Sequence, residues 1–196
     1  MTHPALKNLA ASVKARLAAR ATAIEDVQHL QVDIGFGDAV TPPAQVASFP
    51  TLLDMPAPVL RMYARETVVA EKFEILVQLG LANSQMKDYY DLWVLAREFE
   101  FDGGTLRDAM RATFQRRQTT LPETMPVGLS ESFFTNSIKL AQWRGFLRRT
   151  QLRFQEPDLA KVVAVIGRFV VPPAQAARQQ IPFASRWPNG GPWLPK

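Results

Sequence analysis

The sequence predicts an α+β fold, with a small sheet early in the chain packed on helices and a mainly helical C-terminal part after it. Three observations carry this. Residues 27–36 alternate: Leu30, Val32, Ile34 and Phe36 face one way and His29, Gln31 and Asp33 the other, the period-two pattern of a half-buried strand. From Arg65 onward the apolar residues recur at helical spacing instead. The last stretch, 181–196, carries Pro182, Pro188, Gly190, Gly191, Pro192 and Pro195, which disfavour both helix and central strand.

In chain order, residues 4–20 read as an amphipathic helix with Leu6, Leu9, Ala10, Val13 and Leu17 on one stripe. Residues 21–26 are a short connection into the alternating strand, which ends at Gly35-Phe36-Gly37-Asp38. Pro42-Pro43 makes a turn, 46–53 is a second strand, and Pro56 and Pro58 break the chain before 59–63. Helices follow over 66–81 and 86–99. Thr105 with Asp108 three residues later resembles a capping box opening a helix through Arg116. Two more helices are expected over 130–149 and 158–170, the last ended by Pro172-Pro173. Trp187 and Trp193 are expected to pin the extended tail to the body. The resulting division is 1–110 as a core region and 111–196 as a helical region with a Pro/Gly-rich tail.

The 196 residues contain no cysteine, which excludes disulfides and thiolate metal sites. Two histidines, His3 and His29, leave little material for a histidine zinc site. No continuous apolar segment opens the chain, and Arg168 interrupts the longest apolar run, so a cytoplasmic protein without a membrane span is expected. The net charge of +5 is unevenly spread: residues 1–110 carry 10 Lys and Arg against 14 Asp and Glu, whereas 111–196 carry 13 against 4. An acidic front and basic back suit carboxylates that hold cations and a surface that attracts a polyanion; a solvated basic helical surface gives the same numbers.

Four positions stand out. Asp33 points away from the apolar face of its strand, as a metal ligand or base would and as a solvated strand residue also does. Lys72 rises from an apolar stripe between Val68, Val69 and Leu76, so its ammonium must snorkel, pair or meet an anion. Asp88 and Asp91 lie three apart on one helical face and repel each other unless a cation sits between them. The pair could hold Lys72 in place, or simply complement the helix dipole.

The segments Gln31-Val32-Asp33-Ile34-Gly35-Phe36-Gly37-Asp38, Phe49-Pro50-Thr51-Leu52-Leu53-Asp54, Glu66-Thr67-Val68-Val69-Ala70-Glu71-Lys72 and Lys87-Asp88-Tyr89-Tyr90-Asp91-Leu92, in this order and spacing, resemble the AbiEii/AbiGii nucleotidyltransferase toxins. These belong to the DNA-polymerase-β-like nucleotidyltransferases of abortive-infection toxin–antitoxin systems. The resemblance implies transfer of a nucleoside monophosphate from a nucleoside triphosphate to tRNA, with Mg2+ ions assisting in-line attack on the α-phosphate. It also implies a cognate antitoxin as partner. By the same resemblance Asp33 is a catalytic carboxylate and metal ligand, Lys72 and Lys87 contact the triphosphate, and Asp88 and Asp91 complete the catalytic wall and orient Lys72.

One departure bears on activity. The family's Gly-Ser or Gly-Gly turn and the Asp-x-Asp strand after it supply the principal metal ligands, and this sequence contains no Asp-x-Asp. The helix resembling the family's start meets the strand of Asp33 across a seam at residues 21–26, as an internal deletion would leave them. The expectation is an incomplete nucleotidyltransferase sheet, inactive in transfer, or a non-catalytic remnant that binds tRNA or antitoxin.

Overall fold

The computed structural model describes residues 39–51, 55–150 and 158–196, all within one compact unit spanning Gly37–Lys196. The expected helix at 4–20, the seam at 21–26 and the strand bearing Asp33 lie outside the described residues. The architecture is α+β, with two small antiparallel sheets and a helical body.

The first sheet is a hairpin of β1 (Gln45–Ser48) and β2 (Val59–Met62), with Gln45 opposite Met62 and Ser48 opposite Val59. Its first strand overlaps the second strand expected from the sequence only at 46–48, residues 49–51 lying outside it, and the segment after Pro58 is its partner. Both strands are largely exposed. The turn preceding them is tied to the helical body where the Thr67 hydroxyl donates to Thr41 O at 2.9 Å.

α1 (Arg65–Leu79) and α2 (Met86–Glu98) follow, joined by a 3-10 turn at Gly80–Ala82. Gly80 ends α1 at φ 47°, where a side chain would be strained, and its N–H returns to Leu76 O. After β3 (Phe101–Asp102) comes α3 (Gly103–Arg117), and residue 110, the expected regional boundary, lies inside this helix. Its cap corrects the sequence reading. Asp102 is the N-cap, its Oδ1 accepting from Thr105 N and Thr105 Oγ1 at 2.8 Å each, so Thr105 is a capped residue and not the cap.

The helix expected over 130–149 is two helices, α4 (Glu131–Phe134) and α5 (Ser137–Arg149). Asn136 restarts the second by accepting from Ile138 N and Lys139 N. α6 (Leu159–Gln179) runs through Pro172 and Pro173 where the sequence suggested a stop. Pro173 has no N–H for Phe169 O, and Trp193 Nε1 donates to that carbonyl at 3.0 Å instead. Continuing through the prolines makes α6 long and apolar enough to cross a membrane by length and composition, contrary to the run-length expectation, but most of its apolar stretch is buried. It packs against α2 and α3, while α1 packs against α3.

The core joins Phe73, Leu76, Tyr89, Leu92, Leu106, Met110, Phe114, Ile166 and Phe169. Each such side chain contributes about 1.5–3 kcal/mol when fully buried. The tail closes one end. β4 (Ser185–Trp187) and β5 (Leu194–Pro195) extend β3 into a three-stranded sheet in the order β3-β4-β5. Trp187 and Trp193 pack edge to face at 5.3 Å, and Trp187 Nε1 donates to Ala96 O at 2.6 Å. The indoles thus satisfy carbonyls of α2 and α6 that their own helices leave open.

Candidate functional site

The site is built where α1 crosses the start of α2. Lys72 is the only cation of α1 beyond Arg65, and it sits among buried neighbours Val69, Phe73 and Leu76. Its Nζ lies 2.5 Å from Asp88 Oδ1 and 2.9 Å from Asp91 Oδ2. Lys87, exposed one turn before Asp91, reaches the same Asp91 Oδ2 at 2.5 Å. The four side chains form a row of alternating charge, Asp88–Lys72–Asp91–Lys87. The i,i+3 repulsion between the aspartates is thereby relieved by a cation from the neighbouring helix. Burial on its own would lower the pKa of Lys72, but hydrogen bonds and charge from Asp88 and Asp91 outweigh it and hold the pKa above the ordinary lysine value.

The connection between the helices fixes this geometry. Asn83 Oδ1 accepts from Gln85 N at 2.8 Å, and Asn83 O accepts from Lys139 Nζ at 2.8 Å. Lys139 is a buried cation on α5 that also donates to Gln142 Oε1 at 3.1 Å and lies 5.7 Å from the Phe133 ring centroid. Tyr89, beside Asp88, points the other way and donates to Gly128 O at 3.0 Å. Burial first, and the Asp88 charge second, push its phenol far above the usual range, so it stays protonated.

Against the donor chemistry that two Mg2+ ions require, the described residues do not fit. Asp88 and Asp91 already face ammonium groups, and among the described residues no three His, Cys, Asp or Glu side chains come together. Asp33 lies outside the described residues; of the expected site residues that are described, the structure brings together Lys72, Lys87, Asp88 and Asp91.

The arginines of the basic half divide into two kinds. Arg117 Nη1 is 2.8 Å from Glu74 Oε2, a buried carboxylate that also accepts from the Thr119 hydroxyl, so Arg117 braces α1 against α3. Arg111 pairs with Asp108 at 3.5 Å. In contrast, no carboxylate among the described residues pairs with Arg144, Arg148 or Arg149 on the exposed side of α5. Beside the charged row lies a cavity of about 520 Å³ between the start of α2 and α5, lined in part by Met86, Lys87, Asp88, Gln142, Phe146 and Arg149. Sequence reasoning missed Lys139, Gln142 and Phe146. Only Lys139 had a visible signal, since it lies four residues before Trp143 on the buried face of its helix.

These features lie together at the start of α2, between α1 and α5. The family model for the nucleotidyl transferase AbiEii toxin of type IV toxin–antitoxin systems matches residues 8–165, most of the chain. The chain is a member of the AbiEii nucleotidyltransferase toxin family. No curated protein and no solved structure matches it.

Proposed function

We propose that this chain retains the nucleotide- and tRNA-binding function of its toxin family and, by itself, does not transfer nucleotides. The observation that carries the reading is the alternating row at the site. Lys72 is held in position by two carboxylates, so it can present a fixed positive charge. Lys87 is exposed and can turn from Asp91 to a triphosphate oxygen. Both aspartates are engaged in orienting these cations and offer no ready cage for a metal pair. With no Asp-x-Asp in the sequence, Asp33 is left to hold Mg2+ without the ligands that bridge two ions. Loss of that charge stabilisation removes a large catalytic contribution.

In this reading tRNA lies along Arg144, Arg148 and Arg149, and a cognate antitoxin engages the protein in the cytoplasm. Three phosphate contacts make binding about 20- to 40-fold weaker between 50 and 200 mM salt. The test incubates the purified chain with tRNA, Mg2+ and each labelled nucleoside triphosphate in turn, alongside a tRNA titration across salt. The expected result is salt-sensitive binding with no label on the tRNA. Label at the tRNA 3′ end that Asp33→Ala abolishes would overturn the inactive reading, and salt-insensitive or absent tRNA binding would overturn the binding reading.

A further inference from the structure

The connection from α3 to the 3-10 turn at Val127–Leu129 is a strap with firm ends and a weakly held middle. It runs from Thr119 to Pro126 without helix or strand. At its start the Thr119 hydroxyl donates to the buried carboxylate of Glu74. Just past its end the chain is locked between α1 and α2, where Gly128 packs against Leu76 O and its own carbonyl accepts from Tyr89. Between these anchors, exposed hydrogen bonds tie the strap to α6. Arg178 donates to Leu121 O at 3.3 Å and to Glu123 Oε2 at 3.0 Å, and Gln175 donates to Glu123 O at 3.3 Å. Solvent competes for all three, so they hold it weakly.

Met125 adds an apolar clasp. A Cβ on Gly167, inside α6, would stand 3.2 Å from Met125 Cε and 3.5 Å from its Sδ, so the missing side chain makes the notch that the thioether occupies. Glycine inside a helix weakens it, and the close approach of Met125 accounts for this one. The same methionine is 49% exposed, so a small solute can reach a sulfur that also packs on the helix. The other methionines among the described residues lack this combination. Met86 and Met110 are buried, and Met55 and Met62 are exposed on the β1–β2 hairpin, where an added oxygen meets solvent.

We propose that Met125 is an oxidation site and that its oxidation releases the strap from α6. The oxidant class is a hydroperoxide. The thioether sulfur attacks the outer peroxide oxygen, and the O–O bond breaks as the S–O bond forms. The hydroxyl proton passes to the departing oxygen, which leaves as water or an alcohol; sulfur loses two electrons and the peroxide gains them. The sulfoxide is polar and needs donors, whereas the backbone N–H groups of α6 around Gly167 are spent within the helix. It therefore favours water over the notch, and the middle of the strap is left to Arg178 and Gln175. A methionine sulfoxide reductase reverses the step, so the strap responds reversibly to peroxide. The inference is independent of the nucleotide-binding reading.

The test exposes the full chain to dilute hydrogen peroxide. Peptide mass spectrometry follows each methionine, and a glutamate-specific protease reports the strap through cleavage after Glu123. Met125 should oxidise well ahead of Met86 and Met110, and cleavage should become about fivefold faster or more as the open strap is populated. Met125→Leu, which keeps an apolar side chain and cannot be oxidised, should abolish the peroxide effect. Met55→Leu combined with Met62→Leu should preserve it, and a methionine sulfoxide reductase should then reverse it. Thermal unfolding checks that each variant remains folded. Met125 oxidised as slowly as Met86 and Met110, or oxidised with cleavage unchanged, would overturn the proposal. So would a peroxide effect that persists in folded Met125→Leu. If that variant does not fold, the Met55, Met62 double variant decides: an effect that disappears there, or that outlasts reduction of Met125 sulfoxide, also overturns the proposal.

Discussion

Lys72→Met tests the site at its centre, because methionine keeps much of the stem volume and removes the charge. In the wild type the Lys72 side chain is 19% exposed, and its two partners, Asp88 and Asp91, are 11% and 26% exposed. Removing one partner of a fully buried pair costs about 3–5 kcal/mol. The partial exposure here, and the Lys87 contact that remains on Asp91, reduce this to about 2–3 kcal/mol. For a domain of this size that is a fall in Tm of about 4–12 °C. Urea unfolding of both proteins measures the difference directly. The pH dependence has a definite sign. The pKa of Lys72 is raised on folding, so its contribution is complete below the ordinary lysine value of about 10.4 and is lost as pH rises from there through the folded value. The gap between wild type and Lys72→Met is therefore flat from pH 6 to 9 and narrows only above that range. Adding Asp88→Asn to Lys72→Met should recover about 1 kcal/mol or more by removing the stranded carboxylate. A single variant within 0.5 kcal/mol of wild type, or a double variant less stable than the single, would refute the coupling.

Other positions give independent checks. A Cβ on Gly128 would stand 2.7 Å from Leu76 O and 3.2 Å from Tyr89 Oη, so Gly128→Ala should cost about 1–3 kcal/mol in urea unfolding. Trp193→Phe keeps the ring contact with Phe169 but leaves Phe169 O without its donor; about 1 kcal/mol is expected, with faster amide exchange in the last turns of α6. Burial would raise the Asp102 pKa, but Lys196 and the Thr105 bonds outweigh it and lower it, so the cap's contribution is present above the ordinary carboxylate pKa and disappears as pH falls through the folded value. Asp102→Ala should cost about 1 kcal/mol at pH 7 and nothing once the wild-type cap is protonated, read as converging Tm values on acidification.

The helices of the body were legible in the sequence because each buries a stripe at period 3.6. Val69, Phe73 and Leu76, then Leu92, are buried where the pattern places them, whereas Phe99, in register with Leu92 and Leu95, lies just past the end of α2 and is exposed. The pairing of Lys72 with Asp88 and Asp91 was legible for a related reason, since a cation in an apolar stripe calls for a partner from the adjacent helix. What failed depended on residues distant in the chain. Pro172-Pro173 looks like a stop until Trp193 supplies the donor that the helix lacks. Thr105 looks like a cap until Asp102 takes that role, and the single helix expected at 130–149 divides because Asn136 caps a fresh start. The cavity between α2 and α5 is a product of two helices meeting some 55 residues apart, and no local spacing encodes it.

The same logic explains why net charge alone was an incomplete guide to the basic half. Glu74 and Arg117 are opposite charges on different helices, and their pairing with Thr119 converts two charged residues into an internal brace. Lys139 is likewise spent inside, on Asn83 O and Gln142 Oε1. Subtracting such residues leaves the positive charge of α5 concentrated in Arg144, Arg148 and Arg149, next to the row of Lys72, Lys87, Asp88 and Asp91. The internal cations set the geometry: Lys139 holds both the turn leading into Asp88 and the amide that lines the cavity. Burial thus decides which charged residues hold the helices together and which stay exposed to solvent.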